Sequence, residues 1–288
     1  MPLDPHRLLD RPFAPQAFSL GRRDAALYAL SLGLGTDPQH EGQLRFAHEL
    51  GGGPLVLPSM AFATGWPGLW FMDPATGIDS AAVVNGGQRV VLHAPIPLET
   101  PLAAHNRITG VSDKGPGRGA LVHLSREIAD AAAGAPVATV FSTLFCRNDG
   151  GCGSAGDQPA PPAAVPARTP DISIDMATST QAALLYRLNG DLHPLHADPA
   201  TARAAGFERP ILHGLATLGV AGHALLAALC DYQPGRLAAM GARFTAPVYP
   251  GDTISLDIWR DAQAVSFCGW VRSRNARVLD NGTAILKH

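Results

Sequence analysis

The densest group of chemistry-bearing side chains is the run Asn189-Gly190-Asp191-Leu192-His193-Pro194-Leu195-His196-Ala197-Asp198-Pro199. Asp191 and His196 stand five residues apart with a proline between them, so regular helix is unfavourable there. On such a backbone both side chains can converge on one small molecule. An ionised carboxylate only accepts hydrogen bonds, whereas neutral imidazole carries one donor and one acceptor. The pair can hold a water and move protons on both sides of it. A plainer reading makes Asp191 a helix cap and the two histidines exposed loop residues. A third takes Asp191, His193, His196 and Asp198 as an HxxH-plus-carboxylate metal set. HxxH on irregular backbone with no distant third ligand is a weak signal, and no metal is expected.

The second feature is Pro210-Ile211-Leu212-His213-Gly214. Gly214 stands at the start of a helical stretch, where unpaired N–H groups and the positive helix end favour an anionic oxygen. Glycine there lets a substrate carbonyl come close to the backbone. Its other reading is tight helix packing alone.

The elements around these residues follow from pattern. Thr178, Ser179 and Thr180 can cap a helix through QAALLYRL that stops at Asn189-Gly190. Asp198-Pro199 can open a short helix through Thr201–Ala205, ended by Gly206. The stretch HGLATLGVAGHALLAAL, 213–229, is apolar nearly all round and must be buried. Four alternating stretches follow, LAAMGARFTAPVY, TISLDIW, AVSFCGWVRS and VLDNGTAIL, with turns expected at Pro250-Gly251-Asp252 and Asn281-Gly282. One buried helix and an antiparallel meander imply a sheet wrapped around a helix. Upstream, residues 153–171 (GSAGDQPAPPAAVPARTPD) read as an extended linker between parts 1–152 and 172–288. In the first part a helix is expected over Arg22–Leu32. PLVLPSMAFATG suggests a strand and the start of a helix, while QRVVLHAPI, GALVHLSREI and PVATVFSTLFCR alternate like strands. The same vocabulary in similar order suggests a degenerate second copy.

Composition narrows the partners. Of 288 residues 46% are hydrophobic and 16% charged, enough for a sizeable core. Lys+Arg 22 against Asp+Glu 24 gives a net charge of -2, so no basic field addresses nucleic acid. No apolar run approaches the roughly 20 residues of a membrane span, and no signal-peptide h-region opens the chain. The four cysteines lack CxxC or zinc-type spacing. They are expected to be free thiols in a reducing cytosol, with a Cys146–Cys152 disulfide the lesser alternative. The 31 Gly and 25 Pro, with abundant Ala, suggest a GC-rich bacterial genome and hence a bacterial cytoplasmic location.

The run YRLNGDLHPLHADPATARAAGFERPILHGLATLGVAGHAL resembles the signature of the MaoC-like hydratases. More narrowly, it is similar to the hydratase-2 type of (R)-specific 2-enoyl-CoA hydratase found in peroxisomal multifunctional enzyme type 2. The later run ARFTAPVYPGDTI resembles that family too, with weaker echoes in NGGQRVVLHAPIP, SDKGPG and RNDGGCG. The resemblance implies an α+β double hotdog, two antiparallel sheets each wrapped around a central helix. The second half would carry catalysis, and the first would make room for a bulky acyl chain. The implied reaction is reversible hydration of trans-2-enoyl-CoA to (R)-3-hydroxyacyl-CoA. It needs no metal or redox cofactor, CoA being part of the substrate.

By motif, Asp191 and His196 match the acid/base pair, with the division of roles open. Gly214 matches the residue whose amide receives the thioester oxygen, Phe244 a substrate-contacting aromatic, and Lys114 a basic contact to the ligand. Gly86 matches the glycine of a His-Gly pair in which Asn85 replaces the histidine. His193 replaces the family's asparagine; it can still donate one hydrogen bond but is larger and titratable. Gly150-Gly151-Cys152-Gly153 replaces Gly-Gly-Phe-Gly, a lost ring that would widen the acyl pocket. Two alternatives share the fold: an acyl-CoA thioesterase using a carboxylate-activated water, and a non-catalytic acyl-CoA-binding module. Two hotdogs in one chain can pair internally, and a further homodimer is compatible with that.

Overall fold

The computed structural model describes residues 2–49, 52–261 and 264–287. The first half runs α1 (Pro5–Leu9), β1 (Gln16–Phe18), α2 (Arg22–Ser31), α3 (Glu41–Leu44), β2 (Val83–Leu92), β3 (Leu102–Asp113), β4 (Ala120–Asp130) and β5 (Pro136–Cys146). A short β6 (Ala155–Gly156) follows. The second half runs β7 (Ile172–Ala177), α4 (Ala182–Tyr186), α5 (Pro199–Ala204), α6 (Gly214–Leu229), β8 (Leu237–Phe244), β9 (Thr253–Asp261), β10 (Ala264–Val271) and β11 (Ala276–Leu286).

All ladders are antiparallel, and the strands form one sheet in the order β1-β3-β4-β5-β2-β8-β11-β10-β9-β7, with β6 beside β3. Read outward from the centre, both halves have the same order: first long strand, fourth, third, second, then the short leading strand. This is a double hotdog. The halves meet where β2 pairs with β8, Gly87 opposite Arg243 through Val91 opposite Ala239. The expected two sheets are thus hydrogen-bonded into one, and the two hotdogs pair within the chain.

The central helix of the second half is α6, sixteen residues long and buried along most of its length. Leu218, Leu225 and Leu226 are wholly enclosed, each worth about 1.5–3 kcal/mol of transfer free energy. Against it lie Ile254, Leu256 and Ile258 of β9, every second residue of a strand buried from Ile254 to Trp259. The first half departs from expectation here. Where a strand and a helix start were expected, residues 55–57 form no strand, and Pro58–Ala63 form only a six-residue 3₁₀ helix packed on α6. Two prolines (Pro54 and Pro58) and the glycines around them interrupt any longer helix. Strand β3 was not anticipated at all, because its run LAAHNRITGVSD mixes polar residues into both faces.

Two further differences concern turns. Asn281-Gly282 is not a turn between strands but a bulge inside β11: Asn281 has φ 52, and the register to β8 shifts between Asp280 and Thr283. The cap expected at Thr178–Thr180 is partial, Ser179 Oγ accepting from Gln181 N at 3.1 Å, and α4 is shorter than expected. The segment from 153 to 171 is extended but tied down. β6 pairs with β3, Gln158 donates to Val111 O, Asn281 to Ala163 O, and Trp259 Nε1 to Arg168 O. All four cysteines are free. Among the described residues no helix is long and apolar enough to cross a membrane.

Candidate active site

The loop between α4 and α5 carries Asp191 and His196. Gly190 has φ 113, a left-handed turn that ends the 3₁₀ extension of α4 and lifts the chain away from the core. Asp191 is fixed by its own backbone: one carboxylate oxygen accepts from His193 N at 3.2 Å, leaving the other free. Asp198 accepts from Ala200 and Thr201 N–H and caps α5, closing the loop.

His196 is half-buried, and its Nδ1 lies 2.9 Å from Ile211 O. A carbonyl can only accept, so Nδ1 carries the proton in the neutral ring and Nε2 is left with its lone pair. Burial holds the His196 pKa below its ordinary value, which keeps the ring neutral and ready to accept. Ligand atoms of Asp191, His196 and His213 all lie within 4.8 Å of one another. Two hydrogen bonds of about 2.8 Å through one water span such a gap.

His213 is the residue that sequence reasoning left without a role. It is 1% exposed, its ring stacks on His196 with centroids 3.7 Å apart at 24°, and its Nε2 donates to the backbone O of Asp191 at 3.2 Å. Its presence in the Pro-Ile-Leu-His-Gly run was visible. The signal that could have found it is a polar ring immediately before a helix that is apolar nearly all round. The three groups could nominally hold a metal, but stacked rings direct their in-plane lone pairs side by side rather than toward a common centre. The donor set suits a water better than an ion.

Gly214 is the first residue of α6, so its N–H has no intrahelical acceptor. A Cβ there would lie 3.3 Å from the Phe244 ring, so Gly214 and Phe244 form one surface. Phe244 ends β8 one residue beyond the Gly87–Arg243 pair, which brings Gly86 of β2 to its side. A Cβ on Gly86 would in turn lie 3.7 Å from Phe145 Cβ, and the ammonium of Lys114 sits 5.4 Å from the Phe145 ring centroid. Gly214 and Phe244 are therefore neighbours on the second half, Lys114 and Gly86 both lie near Phe145 on the first, and the β2–β8 register brings the two groups to the junction of the halves. Asn85 sits in the β2 bulge and accepts a long 3.5 Å bond from Gln88 Nε2.

The first-half glycine motifs share one anchor. The carboxylate of Asp113 accepts from the N–H groups of Gly115, Gly151 and Gly153 at 2.8–2.9 Å, and these bonds hold its pKa below the usual range. The two loops touch so closely that a Cβ on Gly150 would collide with Gly115 O. This clasp presents Lys114. His193 stands apart: it is exposed, its ring lies 6.1 Å from that of His196, and its Nδ1 accepts from Leu195 N.

Two family descriptions match successive parts of the chain. A MaoC-like domain matches residues 162–275, and the N-terminal domain of MFE-2 hydratase 2 matches residues 18–148. The 3-hydroxyacyl-thioester dehydratase Y of Mycobacterium tuberculosis is 42% identical over 85% of this chain and 84% of its own. A probable enoyl-CoA hydratase 2 of Dictyostelium discoideum is 34% identical over 100% of this chain and 98% of its own. Among solved structures, a MaoC-like dehydratase from Phytophthora capsici superposes with a TM-score of 0.87 at 28% identity, covering 98% of both chains. By its sequence, its paired domains and its fold, the chain belongs to the MaoC-like hydratases, in the hydratase-2 arrangement of two fused hotdogs.

Proposed function

We propose that this chain is an enoyl-CoA hydratase that adds water reversibly across trans-2-enoyl-CoA to give (R)-3-hydroxyacyl-CoA. The observation that carries the reading is a neutral, tautomer-fixed His196 within one water of Asp191, beside the free amide at the start of α6. His196 Nε2 takes a proton from the water as its oxygen bonds to C3. The C2–C3 π electrons move onto the thioester oxygen, and the Gly214 N–H receives that developing charge. Losing such a donor typically costs roughly 3 kcal/mol. His196 then returns the proton to C2, and the thioester carbonyl re-forms. Asp191 accepts a hydrogen bond from the water's other hydrogen, which stays on the new hydroxyl, and its carboxylate steadies the transient imidazolium. Phe244, Gly86 and Lys114 line the approach of the thioester and its CoA, and Asn85 and His193 stand at its rim. No metal or redox cofactor enters the reaction, because every electron pair is supplied by the substrates.

The name and size of the relatives support this reading: one is called a 3-hydroxyacyl-thioester dehydratase and another an enoyl-CoA hydratase 2, each matched along most of its length. The test is a hydration assay across a ladder of trans-2-enoyl-CoAs, with chiral analysis of product. Loss of enoyl absorbance with an (R)-3-hydroxy product is expected. Release of free CoA from saturated acyl-CoA would point to a thioesterase, and tight binding without turnover to a binding module.

A further inference from the structure

We propose that His213 is the positioning residue of this site, holding Asp191 and His196 in register with the Gly214 amide. The inference rests on the hydratase reading and assigns it a component outside the reacting atoms.

One residue makes four connections. Its Nε2–H binds the backbone O of Asp191, its ring stacks on His196, and the tilted ring of Tyr186 lies 4.9 Å away between centroids. Its own carbonyl accepts from Thr217 N at 3.0 Å and from Thr217 Oγ1 at 3.2 Å, and the next amide is that of Gly214. The proton-accepting pair and the oxyanion donor are thus tied through a single side chain and its backbone. A buried ring packed against both His196 and Tyr186 has little freedom, and small displacements of reacting groups are costly in rate.

The remaining ring atom is informative. His213 Nδ1 is buried and has no hydrogen-bond partner. A buried polar atom left unpaired costs about 1–3 kcal/mol, so packing alone would favour an apolar residue here. What the imidazole supplies that a leucine could not is the Nε2–H to Asp191 together with a flat face for His196. The ionisable groups around the ring are Asp191, His196, Tyr186 and Arg187, and burial lowers its pKa to about 4, so it acts as a neutral donor.

Three substitutions separate donor from stack. His213→Gln places an amide N–H near the Nε2 position but removes the ring. His213→Phe keeps the ring and removes the donor. His213→Asn carries its amide near Nδ1, where no partner waits, and loses both. Steady-state kinetics on a trans-2-enoyl-CoA should show kcat falling about 10-fold for Gln and for Phe and nearer 100-fold for Asn, with KM little changed. Melting temperatures measured alongside identify any loss that comes from unfolding.

A second readout needs no turnover. The pH titration of the His196 ring, followed by nitrogen-15 NMR, should be unchanged in His213→Phe and move up toward the ordinary histidine value in His213→Asn, where water reaches the ring. An Asn variant that kept kcat within twofold, or equal losses for all three that followed melting temperature, would overturn the proposal. So would an unmoved His196 titration in His213→Asn. If the wild-type chain turned over no enoyl-CoA, the hydratase reading would fall by itself, and the titration would decide on His213.

Discussion

The two halves share a strand order yet differ in what fills the space between the leading strand and the sheet. In the second half a left-handed glycine, an Asp/His loop and a sixteen-residue helix follow α4. In the first, α2 is followed by a loop with its own aspartate and histidine, Asp37 and His40, then by α3 and a six-residue 3₁₀ helix. The halves even touch through matching tyrosines, Tyr28 of α2 and Tyr186 of α4, with ring centroids 5.8 Å apart. Yet Asp37 caps Gln39 N–H, and His40 accepts from Gln43 N–H through Nδ1 and packs edge-on against Tyr232. An imidazole whose Nδ1 already accepts carries its proton on Nε2, the reverse of His196. No long helix begins beside it to offer amides. What makes one loop a site is therefore less the residue types than the tautomer imposed by Ile211 and the helix end at Gly214.

That contrast breaks first at the acid/base pair. Asp191→Asn and His196→Gln should each lower kcat by about 10²–10⁴-fold, while Asp37→Asn and His40→Gln leave it unchanged. The double substitution Asp191→Asn with His196→Gln should be little worse than either alone, because groups acting on one water act as a unit. Comparable losses in the first half would mean that both loops serve catalysis.

Acid should also test the buried histidines around α6. Burial lowers the pKa of His213 and of His223 to about 4 in the folded chain, against about 6.5 in unfolded peptides. His223 binds Leu32 O and the Tyr232 hydroxyl where α6 faces the first half. Between these values the unfolded chain binds protons that the folded chain refuses. Stability is then full above about pH 6.5 and falls as pH drops toward 4, by up to about 3 kcal/mol per histidine. Urea melts at several pH values measure this, and His223→Gln should flatten part of the slope. A slope unaffected by His223→Gln would place the acid sensitivity elsewhere.

Much of the second half was legible because its signals are local. Asp198-Pro199 and Gly206 bracket α5 as capping chemistry dictates, and the largely apolar run 213–229 is α6 nearly to the residue. The first half was harder because its central element is defined by what the other half supplies: Pro58–Ala63 is short in sequence terms but packs on α6. Asn281-Gly282 misled because the φ > 0 that suits a hairpin also suits a bulge, and only the partner strand decides between them. At the site, spacing singled out Asp191 and His196 but left cap, metal and acid/base readings open, and only the family motif assigned them the acid/base part. The partner of His196 is a backbone carbonyl fifteen residues away, which no side-chain pattern announces.

Gly214 offers a sharper, smaller test. An alanine Cβ would meet the Phe244 ring at 3.3–3.6 Å, so the ring must yield by a few tenths of an ångström where the thioester must approach. Alanine in place of glycine favours a helix by up to about 1 kcal/mol. Gly214→Ala should therefore lose activity, on the order of 10-fold if one transition-state hydrogen bond is weakened, without losing thermal stability. A fall in melting temperature with unchanged kcat would mean that the glycine serves packing alone.

The smallest effect is expected at His193, where the sequence leaves its family. Its ring is exposed, and the acceptor role of Nδ1 toward Leu195 N–H is one that an asparagine oxygen can fill at a similar reach. The Asx-type bond from His193 N–H to the Asp191 carboxylate comes from the backbone and survives any side chain there. His193→Asn should therefore leave kcat, KM and melting temperature close to the parent values. Because His196 lies at 6.1 Å between ring centroids, a protonated His193 can still oppose protonation of His196 through space. Replacing it by asparagine should consequently move the acid limb of the pH–rate profile slightly upward. A large fall in kcat with the acid limb unmoved would show that the His193 side chain holds the loop or the substrate in a way that asparagine cannot.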